Sequence, residues 1–358
     1  MNFIDLNQYH QKAFSLLKHL IAIPSLSKEE DKTADLIFNY LQSNGFSPER
    51  NGNNVWVQSL ISDKLPTVLL NSHHDTVKPS SSWTFDPFIP TEKDGKLYGL
   101  GSNDAGASVV SQMMAFFELS KQPNRPYNLI YSATAEEEIT GLGGVISILP
   151  YLGKIDLAIV GEPTQMQMAI AEKGLMVLDC KVMGKTGHAA RDEGLNPIYL
   201  AMEDIEWFRT FQFPKESEIL GKVKTSVTII NAGYQHNVVP DICSYVVDVR
   251  TNEQYTNEQS LELIISHMKH SEVTPRSLRH NSSFIPLNHP LVKRGLSLGL
   301  TYYGSPTTSD QAVMRLTSMK IGPGDSARSH TANEYIELDE IKTGISIYIE
   351  LLNGLVLS

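Results

Sequence analysis

The sequence has little cysteine. Its 358 residues include only Cys180 and Cys243. Each lies in a strand-like run (177–182 and 242–247), so they read as reduced core residues of a cytoplasmic protein, not as a disulfide framework. No run of about 18 apolar residues occurs, so no segment is expected to span a membrane. Residues 1–20 carry polar and charged side chains throughout and lack the unbroken apolar stretch of a signal peptide. They read as an amphipathic helix. Positive charge is outnumbered: 30 Lys and Arg face 40 Asp and Glu, a net charge of -10, which argues against nucleic acid as a partner. The run Lys28-Glu29-Glu30-Asp31 reads as a solvated helix face. Internal repeats and low-complexity segments are absent. Gly184-Lys185-Thr186 hints at a phosphate loop, but position 179 is Asp where that loop needs Gly. Gly322-Pro323-Gly324-Asp325-Ser326-Ala327 fits a dinucleotide pattern only loosely, because no strand ending in an acidic residue about 20 positions on completes the unit.

Three apolar runs are present, and each ends in potential metal ligands. Residues 67–72 lead into His73-His74-Asp75, residues 128–135 into Glu136-Glu137-Glu138, and residues 156–161 into Glu162-Pro163. Short continuous apolar runs bounded by turn signals read as buried parallel strands. Ligands of open α/β sheets bind beyond the carboxyl ends of such strands, so the three clusters are expected at one sheet edge. Any one cluster could be chance. Three in series, all His or carboxylate, point to a metal site. Asp104 lies in a glycine-rich turn before an apolar helix and by itself reads as a helix N-cap. His330 by itself reads as a surface histidine. Asp75 lies two residues beyond His73, so on a strand the two face the same way and His74 faces the other, in a structural role.

The order of elements divides the chain. Ser27-Lys28-Glu29-Glu30 is a capping-box pattern with Ser27 as expected N-cap of a helix that runs to about Asn44 and stops at Gly45. Strand and helix then alternate to about residue 172, the pattern of a parallel α/β layer. Beyond Gly174 the expected order is strand 175–183, helix 196–211, strands 223–231 and 242–250, and helix 257–270. This suits a small α+β module with a four-stranded antiparallel sheet. A C-terminal helix is expected at 338–353. The reading is a catalytic domain of residues 1–173 and 286–358, with a mixed, mainly parallel sheet flanked by helices, split by an inserted domain of residues 174–285.

Taken together the motifs resemble those of the co-catalytic zinc amidohydrolases, the family of acetylornithine deacetylase, succinyl-diaminopimelate desuccinylase and carboxypeptidase G. The matching stretches are Ser72 to Val77, Gly101 to Gly106, Thr134 to Glu138, Val160 to Pro163, Gly187 to Ala190, Asn237 to Pro240 and His330 to Glu334, in the family's order. The resemblance implies two Zn²⁺, although Co²⁺ and Mn²⁺ share these ligands. His73 and Glu162 would hold one ion, Glu138 and His330 the other, and Asp104 would bridge both. Asp75 would orient His73, and Glu137 would be the general base. The family usually reads Thr-x-Asp-Glu-Glu here, so Glu136 stands where Asp is usual. A one-residue slip would make Glu136 the base and Glu137 the ligand instead. Thr134-Ala135 and the downstream glycines favour the first register. His188 would reach a partner subunit's site and hold the oxyanion, which implies a homodimer through the inserted domain. Arg250 and Asn237 would contact substrate, as would Gly324 and the stretch Thr308-Ser309-Asp310, whose other reading is turn chemistry. The peptide after Asp104 is expected to be cis.

The implied reaction is hydrolysis of an N-acyl amino acid. The motif spelling looks most like the acetylornithine and acetyl-lysine deacetylase branch, with N-acetyl- or N-succinyl-L-ornithine as substrate in arginine biosynthesis. Succinyl-diaminopimelate desuccinylase and dipeptidase activities are the alternatives. A succinyl tail would need a second cation, for which Arg191 and Arg328 are candidates. A non-enzymatic scaffold would predict missing ligands, yet all five candidates and the base are present.

Overall fold

The computed structural model describes residues 6–357; the first five residues of the expected N-terminal helix lie outside them. The chain forms two compact units. One is Met1–Ile170, Phe284–Tyr303 and Ser309–Ser358; the other is Ala171–Ser283 and Gly304–Thr308. In chain order the elements begin with α1 (Asn7–Ile21), α2 (Asp31–Ser43), β1 (Glu49–Asn51), β2 (Asn54–Ser59) and β3 (Thr67–His73). Next come α3 (Ala107–Ser120), β4 (Asn128–Thr134), β5 (Leu157–Val160) and β6 (Met168–Glu172). The middle of the chain forms β7 (Met176–Met183), α4 (Pro197–Thr210), β8 (Lys224–Ala232), β9 (Ile242–Arg250), α5 (Asn257–His267) and β10 (Ser271–Pro275). The end supplies β11 (Ser318–Lys320) and α6 (Leu338–Leu352).

The fold class is α/β. In the first unit the strand order is β1-β2-β4-β3-β5-β11, continuing to β6. β3 is parallel to β4 and β5, and β11 to β5; β1 and β2 form an antiparallel edge. Every residue of β3 and β4 is buried, which is why both read as unbroken apolar runs rather than alternating ones. One sheet face carries Trp56, Leu69, Ile130, Ala158 and Val160 in a single cluster with Ile148 and Met314. Against β3 and β4 packs α3, which is buried on nearly all sides and apolar all round, as a central helix must be. Helices α1 and α6 pack on α3 in turn.

One local expectation is corrected. Ser27 does not cap α2, which starts at Asp31 with Glu30 in the N-cap position and no side-chain cap. The Ser27 hydroxyl instead donates to the fully buried Asp75 carboxylate at 2.7 Å. A buried carboxylate needs donors, and Ser27 supplies one to Asp75, while the buried Glu30 at the helix start accepts from the Lys28 amide at 2.7 Å. Gly45 does end the helix, at φ +90.

The second unit holds a four-stranded antiparallel sheet in the order β8-β9-β7-β10. β7 and β9 alternate between buried and more exposed positions, turning Met176, Leu178, Cys180 and Val182, and Cys243, Tyr245, Val247 and Val249, into one core. Phe208 of α4 and Ile264 of α5 close that core. Asn196 caps α4, with Pro197 at the first turn, and Thr256 with Gln259 forms a reciprocal capping box on α5. Both cysteines are buried and unpaired. The segment Gly304–Thr308 also belongs to this unit, which spacing did not foretell. It is tied in by the Lys173 amide, which donates to the Ser305 carbonyl at 3.0 Å.

Candidate metal centre

Parallel pairing creates the site. His73 lies beside Thr134, and Asn71 beside Val160, so β3, β4 and β5 end together. The chain then supplies a polar side chain within two or three residues of each strand end. His73 closes β3, Glu136 follows β4 in a left-handed conformation (φ +56) that opens the turn Glu137–Ile139, and Glu162 follows β5. Asp104 enters on the five-residue turn Ser102–Gly106, whose Asp104–Ala105 peptide is cis, as expected. His330 enters on a loop that leads to α6, itself at φ +59.

The side chains converge. His73 Nε2 lies 3.2 Å from Asp104 Oδ1, 3.8 Å from Glu162 Oε1 and 4.0 Å from Glu137 Oε2. His330 Nε2 lies 2.9 Å from Glu138 Oε2 and 3.7 Å from Asp104 Oδ2. The two Asp104 oxygens therefore face different imidazoles. Two ligand groups result, His73 with Asp104 and Glu138, and His73 with Glu137 and Glu162, each with ligand atoms within 4.8 Å of one another. Behind them the Asp75 carboxylate faces His73 Nδ1 at 3.4 Å and accepts from the Glu137 and Glu138 amides at 3.0 and 3.2 Å. One buried carboxylate thus sets both an imidazole and the Glu137–Glu138 backbone.

The glutamates part ways. Glu136 turns back, and its carboxylate accepts from the Gly143 amide at 3.1 Å, against Gly141. Glu137 and Glu138 point into the cluster. His74 faces away: its ring nitrogens meet Thr33 Oγ1 at 3.0 Å and the Asn53 carbonyl at 2.9 Å.

Electrostatics without a cation are unfavourable. Burial works against a charged His73, but hydrogen bonds to Asp104 and Asp75 dominate and hold it well above its ordinary value. Burial, then repulsion from Glu162, Asp310 and Glu138, raises Glu137 well above the usual carboxyl range against the pull of His73. Burial pushes Glu162 up to about 8. The hydrogen bond to Glu138 lifts His330 to about 9. Four carboxylates (Asp104, Glu137, Glu138, Glu162) share the site with two imidazoles. Such an oxygen- and nitrogen-donor set, short of positive charge, fits divalent cations of the zinc class.

Two further carboxylates frame the site: Asp310, read from sequence only as part of a substrate-lining stretch, and Glu334, given no role of its own. Asp310 is buried and accepts from Asn71 Nδ2 at 2.7 Å and Thr134 Oγ1 at 2.9 Å; burial pushes it up to about 6. Glu334 accepts from the amides of Gly101, Asn103 and Asp104. The sequence signals were the Thr308-Ser309-Asp310 stretch for the first and the His330 to Glu334 motif for the second. Gly324, at φ +94, lies against the Asn103 side chain, and a Cβ there would collide with its Oδ1. Ser309 accepts from Ala312 at the start of the turn after Asp310.

His188, Asn237, Arg250 and Thr308 lie in the second unit. His188 sits on a two-residue strand paired with Val238–Val239, and the Ala189 amide donates to the Asn237 carbonyl at 3.0 Å. Arg250 makes a two-pronged pair with Asp248 at 2.8 and 3.1 Å. The candidate cations for a succinyl tail differ: Arg328 is taken up by Glu340 at 2.7 and 3.2 Å, whereas Arg191 is exposed, with Glu193 at 3.7 Å. A separate depression of about 730 Å³ lies at the opposite sheet edge, by Thr67, Asn128 and Asp156, away from these groups.

A model of the peptidase family M20/M25/M40 matches residues 69–354. The chain is 25% identical to a succinyl-diaminopimelate desuccinylase of Orientia tsutsugamushi (strain Ikeda), across 94% of each chain. It is 27% identical to an acetylornithine deacetylase of Buchnera aphidicola subsp. Acyrthosiphon pisum (strain Tuc7), across 94% of this chain and 96% of that one. Among solved structures, the Bacillus subtilis YXEP protein, described as a dinuclear metal binding peptidase from the M20 family, aligns with a TM-score of 0.72 at 15% identity. That alignment covers 96% of this chain and 97% of the other. Among the described residues, no helix is long and apolar enough to cross a membrane.

Proposed function

Because the chain belongs to peptidase family M20/M25/M40, metal-dependent hydrolases of amides and peptides, we propose that it hydrolyses the amide bond of an N-acyl amino acid with two Zn²⁺. The observation that carries this reading is the convergence of His73, Asp104, Glu137, Glu138, Glu162 and His330 beyond the parallel strand ends. His73 and Glu162 would hold one ion, Glu138 and His330 the other, and Asp104 both. Three ligand carboxylates against two dications leave a small positive charge. Such ions, when bound, supply carbonyl polarisation and a lowered pKa of water.

The chain's own residues do the rest. Asp75 fixes the His73 ring through Nδ1 and fixes the Glu137–Glu138 backbone through its two amides. Glu137 is held with a high proton affinity by burial. It takes a proton from the attacking water and hands it to the departing amine, and a base works best with a pKa near the operating pH. His188 donates to the oxyanion of the tetrahedral intermediate. Arg250 offers a fork for the free carboxylate of an amino-acid substrate, in competition with Asp248. Asn237, Gly324, Thr308 and Ser309 are the remaining proposed substrate contacts.

N-acetyl- and N-succinyl-L-ornithine are the preferred substrates in this reading, within arginine biosynthesis in the cytoplasm. Relatives named for an acetylated and a succinylated amino acid support the class. His188 acts in trans in a homodimer built on the second unit. The outer strand β8 supports that assembly, because Ile229 and Ile230 are each about half exposed on a sheet edge. The test is amine release by zinc-loaded protein from the two ornithine derivatives and from N-succinyl-diaminopimelate, side by side. Preference for one ornithine derivative names the acyl group; preference for the diaminopimelate compound replaces ornithine as the backbone.

A further inference from the structure

We infer that Glu334 is a positioning residue of the metal centre, holding the loop that presents Asp104. The inference rests on the dinuclear reading above and adds a residue to it.

Glu334 is 2% exposed. Its Oε1 accepts from the Asn103 amide at 2.8 Å and the Asp104 amide at 2.9 Å, and its Oε2 accepts from the Gly101 amide at 3.2 Å. Its backbone carbonyl accepts from the Gly99 amide at 3.1 Å. One residue therefore holds four amides of a single eight-residue stretch, 99–106, that contains Asp104. These partners are more than 200 positions away in sequence, so the contact is tertiary rather than a local turn.

The geometry matters because Asp104 has no slack. Its two oxygens face His73 at 3.2 Å and His330 at 3.7 Å, so a shift of its backbone disturbs both donor groups at once. Glu334 also ends the segment that begins with His330. It thus couples two loops that each deliver a ligand. Asn103 reinforces the link by exchanging two hydrogen bonds with the Asp325 backbone, at 3.0 and 3.1 Å. In this arc both Glu334 oxygens accept from amides, while burial and the nearby Asp104 charge raise its pKa to about 8. A glutamine of the same shape turns one oxygen into a donor that must oppose an amide N–H.

The test uses the full-length chain as wild type, Glu334→Gln and Glu334→Asp. Zn²⁺ affinity is measured by competition with a chromophoric chelator, and the metal-free fold is followed by near-ultraviolet circular dichroism. We expect Glu334→Gln to keep the wild-type spectrum and bind Zn²⁺ about 10–100-fold more weakly, the usual scale for residues that orient ligands. Glu334→Asp keeps the carboxyl group but withdraws it by one methylene, so its loss should be smaller. Wild-type affinity in a folded Glu334→Gln protein overturns the inference. If Glu334→Gln does not fold, Glu334→Asp decides: weakened affinity with a native spectrum supports the role, and wild-type affinity overturns it. A wild-type protein that binds no Zn²⁺ overturns the dinuclear reading, and this inference with it.

Discussion

Substituting each of the three consecutive glutamates in turn should give three different defects. Glu136 lies outside the ligand cluster, where its carboxylate accepts from Gly143 at 3.1 Å. Glutamine can keep one such acceptor, so Glu136→Gln should cost about 1 kcal/mol of local stability and less than about tenfold in rate. Glu137 faces His73 at 4.0 Å and Glu162 through repulsion across the site. Glu137→Gln leaves the ligands in place but removes the proton carrier. General acid–base catalysis is worth about 10²- to 10⁴-fold, or about 3 to 5 kcal/mol of barrier. Glu138 contacts His330 at 2.9 Å, so Glu138→Gln should lose bound metal before it loses anything else. The assay pairs the turnover number with metal content for each purified variant. The reasoning is refuted if Glu136→Gln falls by the amount expected of Glu137→Gln while retaining its metal, because the register would then be one residue earlier.

Four further outcomes follow from the same coordinates. Asp75→Asn leaves at least one of the Glu137, Glu138 and Ser27 donors without its acceptor. It should lower kcat/KM by about 10–100-fold, and a variant within threefold of wild type contradicts the assigned role. In the metal-free protein the Glu138 contact raises the His330 pKa to about 9, so the ring is protonated at pH 7, whereas ligation needs it neutral. Zn²⁺ binding at pH 7 should therefore release protons, and affinity should fall by about tenfold per pH unit for each one as pH drops below 9. Calorimetry in buffers of different ionisation enthalpy reads this directly, and buffer-independent heats argue against it. Leu69 is fully buried between Trp56, Ile130 and Ala158, so Leu69→Ala should cost about 2–5 kcal/mol in denaturant unfolding. If the proposed homodimer forms through β8, Ile230→Asp on that edge should shift sedimentation velocity toward monomer and lower activity through loss of His188 in trans, and an unchanged sedimentation coefficient refutes that interface.

Features that repeat at short range were legible in the sequence. The buried strands read as apolar runs because both faces of the sheet are covered, and their shared direction places His73, Glu137, Glu138 and Glu162 at one edge. Helices were expected at 196–211 and 257–270, where α4 and α5 form, and the alternation of β7 marked a second sheet. Contacts between distant residues were not legible. Asp310 meets Asn71 from 239 positions away, and Glu334 meets Asn103 from 231. No spacing rule reports such pairs, so Glu334 passed without a role and Asp310 was read only as part of a substrate-lining stretch. Ser27 failed for the same reason: its capping pattern was local, whereas its partner, Asp75, lies 48 residues on. Arg250 was legible as a cation but not as one already paired with Asp248.

The most direct test titrates metal-free protein with Zn²⁺ while following amine release from N-acetyl-L-ornithine and N-succinyl-L-ornithine. The account predicts that activity appears with metal, reaches its plateau at two equivalents per chain and is abolished by a chelator. Two equivalents bound with no release from either substrate, or from N-succinyl-diaminopimelate, would contradict the proposed N-acyl amino acid hydrolysis.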